Sequence, residues 1–158
     1  MINVVLYQPE IPQNTGAIAR QCVGMNAHLH IVKPIPFDIS DKAVRRAGLD
    51  YWESLRLTVH ENRESFFNWL GDRDPWIITK HGDKRFDEPA YGDEDILIFG
   101  RETGGLPPDL LALWPDRTVN VPILGNVRSY NLSNTVSIVL AQANLKAGIY
   151  DGIDTLKG

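Results

Sequence analysis

A chain of 158 residues with 43% hydrophobic and 23% charged side chains has the composition of one globular domain, without repeat or low-complexity signal, and leaves no length for a separate RNA- or substrate-binding appendage. A net charge of −4 argues against a uniformly basic nucleic-acid binder, although a local basic patch is compatible with it. The single cysteine, Cys22, excludes an internal disulfide framework and fits a reducing cytoplasm, where it reads as a small buried apolar residue.

The start, MINVVLYQPE, has no basic region and its apolar run breaks at Gln8 and Pro9, so no signal peptide is expected. No apolar stretch approaches the length that spans a membrane. INVVLY (2–7) predicts a buried strand. QPEIPQ turns the chain into a helix from Asn14 to about Met25, with Ile18, Cys22 and Met25 as its buried stripe. HLHIV (28–32) predicts a second strand. His28, His30, His60 and His81 look scattered, with no metal-ligand spacing. SDKAVRRAG offers a short basic helix. Residues 55–60 predict a strand, 62–70 a helix and 75–79 a strand, and after a polar loop DILIF (95–99) is the clearest buried strand. A short helix over 108–114, a strand over 118–123 and a long helix over 131–147 complete the chain, with DGIDTLKG as a loose tail from about 151. Strands alternating with helices imply a single α/β domain over 1–158 with a mainly parallel sheet.

Ligands in such sheets bind beyond the carboxyl ends of strands, where three polar stretches fall. EIPQNTGAIAR after the first strand supplies Asn14, Gly16 and Arg20, although, taken alone, a helix start with Asn14 as cap and Arg20 on the solvent face is the better account. GRETGGLP after DILIF is neither GxGxxG nor a Walker sequence. Its Glu102 would repel phosphate and suit a hydrogen-bond donor, while Gly104 and Gly105 could simply make a tight left-handed turn. PILGNVRSYNLSN, before the last helix, holds more hydrogen-bonding groups than one helix cap needs.

Together LYQPEIPQNTGAIARQC, the basic RRAGLDYWE, LIFGRETGGLP and RSYNLSNTVS resemble the motifs of the SPOUT superfamily of RNA methyltransferases, which use S-adenosyl-L-methionine (AdoMet). The similarity runs over nearly the whole chain, lies in the ribose 2′-O branch, and points to the small single-domain type that methylates the wobble nucleotide of tRNA. It departs from that pattern at FGRE, where FGPE is usual, at Tyr130, where Met is usual, and at AQAN, where a relative's last helix carries YEAW.

The resemblance implies an α/β fold whose sheet, flanked by helices, ends in a deep C-terminal trefoil knot. It implies AdoMet held at Ile78, Gly100, Glu102, Val121, Ser129, Leu132 and Asn134, with S-adenosyl-L-homocysteine as product and no metal. It gives Arg20 the central catalytic place, with Asn14 fixing it and Arg128 and Ser129 positioning the ribose. A guanidinium stays protonated and cannot act as a base, so Arg20 is expected to hold the neighbouring phosphate and ease alkoxide formation. A homodimer through the first and last helices would bring Arg20 to the facing subunit's site. Lys42, Arg45, Arg46 and Arg56 would contact the anticodon stem-loop of tRNA, unless they form an ordinary solvated face. Methylation of a base nitrogen and a non-catalytic RNA-binding module are the competing readings. A dinucleotide oxidoreductase is disfavoured by the absence of GxGxxG after the first strand.

Overall fold

A computed structural model describes residues 1–39 and 51–154. Its sheet has seven strands: β1 (Asn3–Tyr7), β2 (His28–Val32), β3 (Leu57–His60), β4 (Trp76–Ile78), β5 (Lys84–Arg85), β6 (Ile96–Phe99) and β7 (Thr118–Asn120). Their order is β3-β2-β1-β6-β4-β7-β5, and every pairing is parallel. The described helices are α1 (Pro12–Gly24), α2 (Arg63–Leu70), α3 (Pro108–Leu111) and α4 (Leu132–Lys146).

The central strands are apolar on both faces, so each face needs a helical cover. Val4, Leu6, Leu29, Ile31, Leu97 and Phe99 pack against Ile18 and Cys22 of α1 and Val136, Val139 and Leu140 of α4. The alternate residues Val5, Tyr7, Val32, Ile77 and Ile98 pack against Phe66 and Leu70 of α2 and Leu110 of α3. Asn144 ties the two helices of the first face by donating from Nδ2 to the Met25 carbonyl at 2.9 Å. Burial pushes the Cys22 thiol up to about 12, which keeps it an inert core group.

Three local outcomes differ from expectation. α1 starts at Pro12 behind Ile11, with no side-chain cap, so Asn14 is not the cap and its side chain is free for other work. α3 stops at Leu111, because the chain turns into a 3₁₀ segment at Pro115–Arg117. β5 forms inside the loop that looked merely polar, pairing Lys84 with Val119 and Arg85 with Asn120. Gly82, just before it, lies so close to the Val119 backbone that a Cβ has no room. The basic segment expected as a helix lies outside the described residues.

Three of the four histidines come together, while His81 lies apart on the wall of a cavity. His28 and His30 project to one face of β2, and His60 reaches them from the end of β3. His30 bonds His60 through Nδ1 at 3.1 Å and Asn3 Oδ1 through Nε2 at 3.1 Å, and Trp69 of α2 covers its ring at 4.2 Å. Burial, then the nearby His28, His60 and Arg73, pushes the His30 pKa down to about 3; burial also lowers His28 and His60. Folded pKa values below the unfolded value of about 6.5 mean that the unfolded chain binds these protons first. Stability is therefore full above about pH 6.5 and falls as pH drops below it. Urea unfolding against pH should show this decline, and His30→Asn should flatten it; an unchanged slope in the variant would remove the stack as its source.

Candidate active site

At the carboxyl ends of β4, β6 and β7, closed by the amino-terminal ends of α1 and α4, lies a cavity of about 590 Å³. Its apolar wall comes from Ile78, Phe99, Leu106, Val121 and Leu132, and its polar edge from Asn14, Glu102, Ser129 and Asn131. That mixture of apolar wall and a few convergent polar groups suits an amphipathic small molecule.

The loop after β6 folds back on itself. Gly104 and Gly105 adopt φ values of +80° and +64°, the left-handed turn expected of them, and Arg101 bridges back to Gly105. This turn presents Glu102 to the start of α1. The Glu102 carboxylate accepts the amides of Glu10 at 2.7 Å and Ile11 at 3.1 Å, and Nδ2 of Asn14 at 3.3 Å. A negative charge there also meets the positive end of the helix dipole. The donor that Glu102 was expected to suit is thus found within the protein itself.

Asn14 in turn accepts Nδ2 of Asn131 at 3.0 Å, and Asn131 Oδ1 accepts the Ser133 amide at 2.8 Å and its hydroxyl at 2.6 Å. One chain of hydrogen bonds therefore joins residues 10–14, 102 and 131–133. The polar entry to α4 now divides by role: Asn131 caps α4 and ties the loops, Ser129 and Tyr130 line the cavity, and Tyr130 also donates to the Pro122 carbonyl at 3.1 Å.

Of the residues expected around the site, Asn14, Ile78, Gly100, Glu102, Val121, Ser129 and Leu132 all line this cavity. Asn134 does not; its side chain is outside the wall, and its backbone amide joins the α4 cap at 3.4 Å. Arg20 and Arg128 are exposed and also stand outside the wall. Arg20 follows Asn14 by six helical positions, about 9 Å along and roughly a third of a turn away. Its guanidinium lies 5.9 Å from the Tyr51 ring centre, and Asn14, engaged at both ends by Glu102 and Asn131, does not fix it as expected. Arg56 touches Met1 at the amino-terminal edge of β3, the far end of the sheet from the cavity. Lys42, Arg45 and Arg46 lie outside the described residues. Among the described residues no group of three His, Cys, Asp or Glu side chains could hold a metal ion.

Several residues outside the expected set also line the cavity, Asn131 and Arg101 among them. No local signal in the sequence reveals the link from Asn131 to Asn14. Arg101 lines the wall beside Glu102, in the glycine-rich stretch after β6.

Comparison with known proteins agrees with this architecture. Residues 1–141 match the SpoU rRNA Methylase family. A tRNA (cytidine(34)-2′-O)-methyltransferase from Methylovorus glucosotrophus is 42% identical over 144 residues, covering 90% of this chain and 94% of the relative. A solved structure concerned with 2′-OH methylation of C/U34 on tRNA superposes with a TM-score of 0.86 at 36% identity, covering 92% of this chain and 95% of that one. The fold is also that of the SpoU methyltransferase AviRb from Streptomyces viridochromogenes in complex with AdoMet, with a TM-score of 0.78 at 24% identity over 89% of this chain and 58% of that one. The parallel sheet flanked by helices is thus the α/β-knot architecture of the SPOUT enzymes. With its three polar loops drawn around one cavity and a family match over nearly its whole length, the chain belongs to the SpoU rRNA methylase family.

Proposed function

We propose that this protein transfers the methyl group of AdoMet to the ribose 2′-OH of the wobble nucleotide, cytidine or modified uridine 34, of tRNA. The observation that carries the reading is the Glu102–Asn14–Asn131 chain, which holds the three motif loops around a single cavity in a member of a methyltransferase family. The relative from Methylovorus glucosotrophus supplies the substrate.

The residues present fit the cofactor. A cavity of about 590 Å³ accommodates a nucleoside with an amino-acid tail, and Gly100, where a Cβ would strike the Gly105 and Leu106 backbone at 2.5 Å, keeps its wall tight and smooth. Ile78, Gly100, Val121, Ser129 and Leu132 would hold it. When bound, AdoMet supplies a sulfonium-activated methyl group for in-line displacement by the ribose oxygen.

Much of the remaining work is alignment and electrostatics. Arg20, always protonated, holds the phosphate beside the target ribose and offsets the charge growing on the 2′ oxygen, while the proton leaves to phosphate or water. Ser129 and Arg128 position the ribose.

Arg20 stands outside its own chain's cavity, which supports a homodimer in which each protomer supplies Arg20 to its partner's site. Dimerisation also gives a protomer of net charge −4 the surface it needs for an anticodon stem-loop. The setting would be the cytoplasm; among the described residues no helix is long and apolar enough to cross a membrane.

The test is transfer of labelled methyl from AdoMet to bulk unmodified tRNA, followed by nucleoside and position mapping. Label in 2′-O-methylated nucleotide 34 is expected. Label on a base nitrogen, or none, would overturn the reading.

A further inference from the structure

Arg101 is a cation on the cavity wall with no carboxylate partner among the described residues. It follows β6, is half-buried, and takes part in none of the ion pairs among the described residues. The acids around it are engaged elsewhere. Glu102 is turned onto the amides of α1, and Glu10 accepts the Thr103 hydroxyl at 2.8 and 2.6 Å. Of the five guanidinium donors, the hydrogen bond found is from Nη2 to Gln8 Oε1 at 3.0 Å.

Gln8 is itself held in place. It is one residue past β1, with φ of +53°, a left-handed conformation uncommon outside glycine, and its amide donates to the Val32 carbonyl at 2.9 Å. Because β1 and β6 are neighbours, Gln8 and Arg101 meet on the β1 side of the cavity, whereas Ile78 ends β4 and Val121 follows β7 on the other side. The guanidinium is therefore a positioned group at the cavity's edge.

A planar guanidinium with spare donors matches an anionic oxygen pair, of which a phosphodiester is one and the carboxylate of an amino-acid tail another. The phosphodiester is the better match. It carries a full uncompensated charge, whereas the carboxylate of AdoMet sits beside its own ammonium. A protein of net charge −4 must also meet RNA through local cations.

We infer that Arg101, oriented by Gln8, binds a backbone phosphate of the RNA beside the target ribose, from the protomer whose cavity holds the cofactor. This rests on the methyltransferase reading above. It assigns two arginines to the substrate from two directions, Arg101 from the cavity's own chain and Arg20 from the facing one.

The test uses the full-length dimer with Arg101→Gln, Arg101→Lys and Gln8→Ala. It measures tRNA affinity across a salt series, single-turnover methyl transfer, and AdoMet affinity by calorimetry as the control for an intact fold. Arg101→Gln should weaken tRNA binding roughly tenfold and lower the salt slope by about 1, with AdoMet affinity unchanged. Arg101→Lys should keep the slope but recover only part of the affinity, and Gln8→Ala should fall between wild type and Arg101→Gln with the slope retained. Wild-type tRNA affinity and salt slope in Arg101→Gln would overturn the contact, as would a loss confined to AdoMet affinity, which would reassign Arg101 to the cofactor's carboxylate. The two readings fail separately: a wild type that binds tRNA through Arg101 but transfers no methyl overturns the proposed function and leaves the contact standing.

Discussion

Arg20→Ala should abolish methyl transfer, by roughly 100- to 1,000-fold in the single-turnover rate, while AdoMet affinity and thermal midpoint stay at wild-type values. The separation follows from where the side chain lies. Ile18, Ala19 and Cys22 are fully buried, whereas Arg20 is exposed and rests near the Tyr51 ring, so its removal opens no core cavity. It is absent from the cavity wall, so the cofactor loses no contact. What is lost is a fixed positive charge, felt most as the ribose oxygen becomes negative, and that loss belongs to turnover. Arg20→Lys restores a point charge without the planar fork and should recover only part of the rate. Mixing Arg20→Ala with Ser129→Trp should regain activity through heterodimers that hold one complete site. Near-wild-type rates for Arg20→Ala would sink the mechanism and move the burden to Arg128 and Ser129.

What the sequence made legible was whatever local pattern controls. NVVLY, HLHIV and ILIF are apolar runs bounded by turn residues, and all three form strands. The helices expected over 62–70 and 131–147 both form, the first opened by a capping box of Asn62 with Ser65 and the second capped by Asn131. β5 was invisible because Lys84 and Arg85 carry no strand pattern; only their pairing with β7 makes them one. Asn14 misled for the opposite reason. A polar residue beside Pro12 looks like a cap, yet the helix begins earlier and the side chain bonds residues 88 and 117 positions away. His28, His30 and His60 gather because β2 and β3 are adjacent and parallel, which spacing along the chain does not encode. Of the positions that the motif resemblance named, Ile78, Gly100 and Val121 lie on the cavity wall and Asn134 does not. Arg20's distance from that wall is a matter of helical geometry, six positions beyond Asn14 on α1, and no motif reports it.

Gly100→Val should lose both AdoMet binding and stability, the latter by about 3 kcal/mol, or about 6–12 °C in thermal midpoint for a domain of this size. From sequence, valine there would simply fill space the cofactor needs. The packing gives a stronger reason. A Cβ on Gly100 meets the Gly105 carbonyl carbon and the Leu106 nitrogen at 2.5 Å, and both are backbone, so no rotamer change relieves the clash. The turn over residues 100–106 must open instead. Glu102 stands in that turn, so opening it also releases the amides of Glu10 and Ile11 and breaks the tie to Asn14 and Asn131. Ser129→Trp provides the contrast. Ser129 is exposed on the cavity's edge, so an indole there obstructs the cofactor without entering the core, and AdoMet binding should fall at an unchanged midpoint. Calorimetric affinity and thermal unfolding, measured on both variants, separate the two mechanisms. A Gly100→Val protein that melts like wild type but binds no AdoMet would return the effect to simple occlusion, and one that binds AdoMet normally would remove Gly100 from the site.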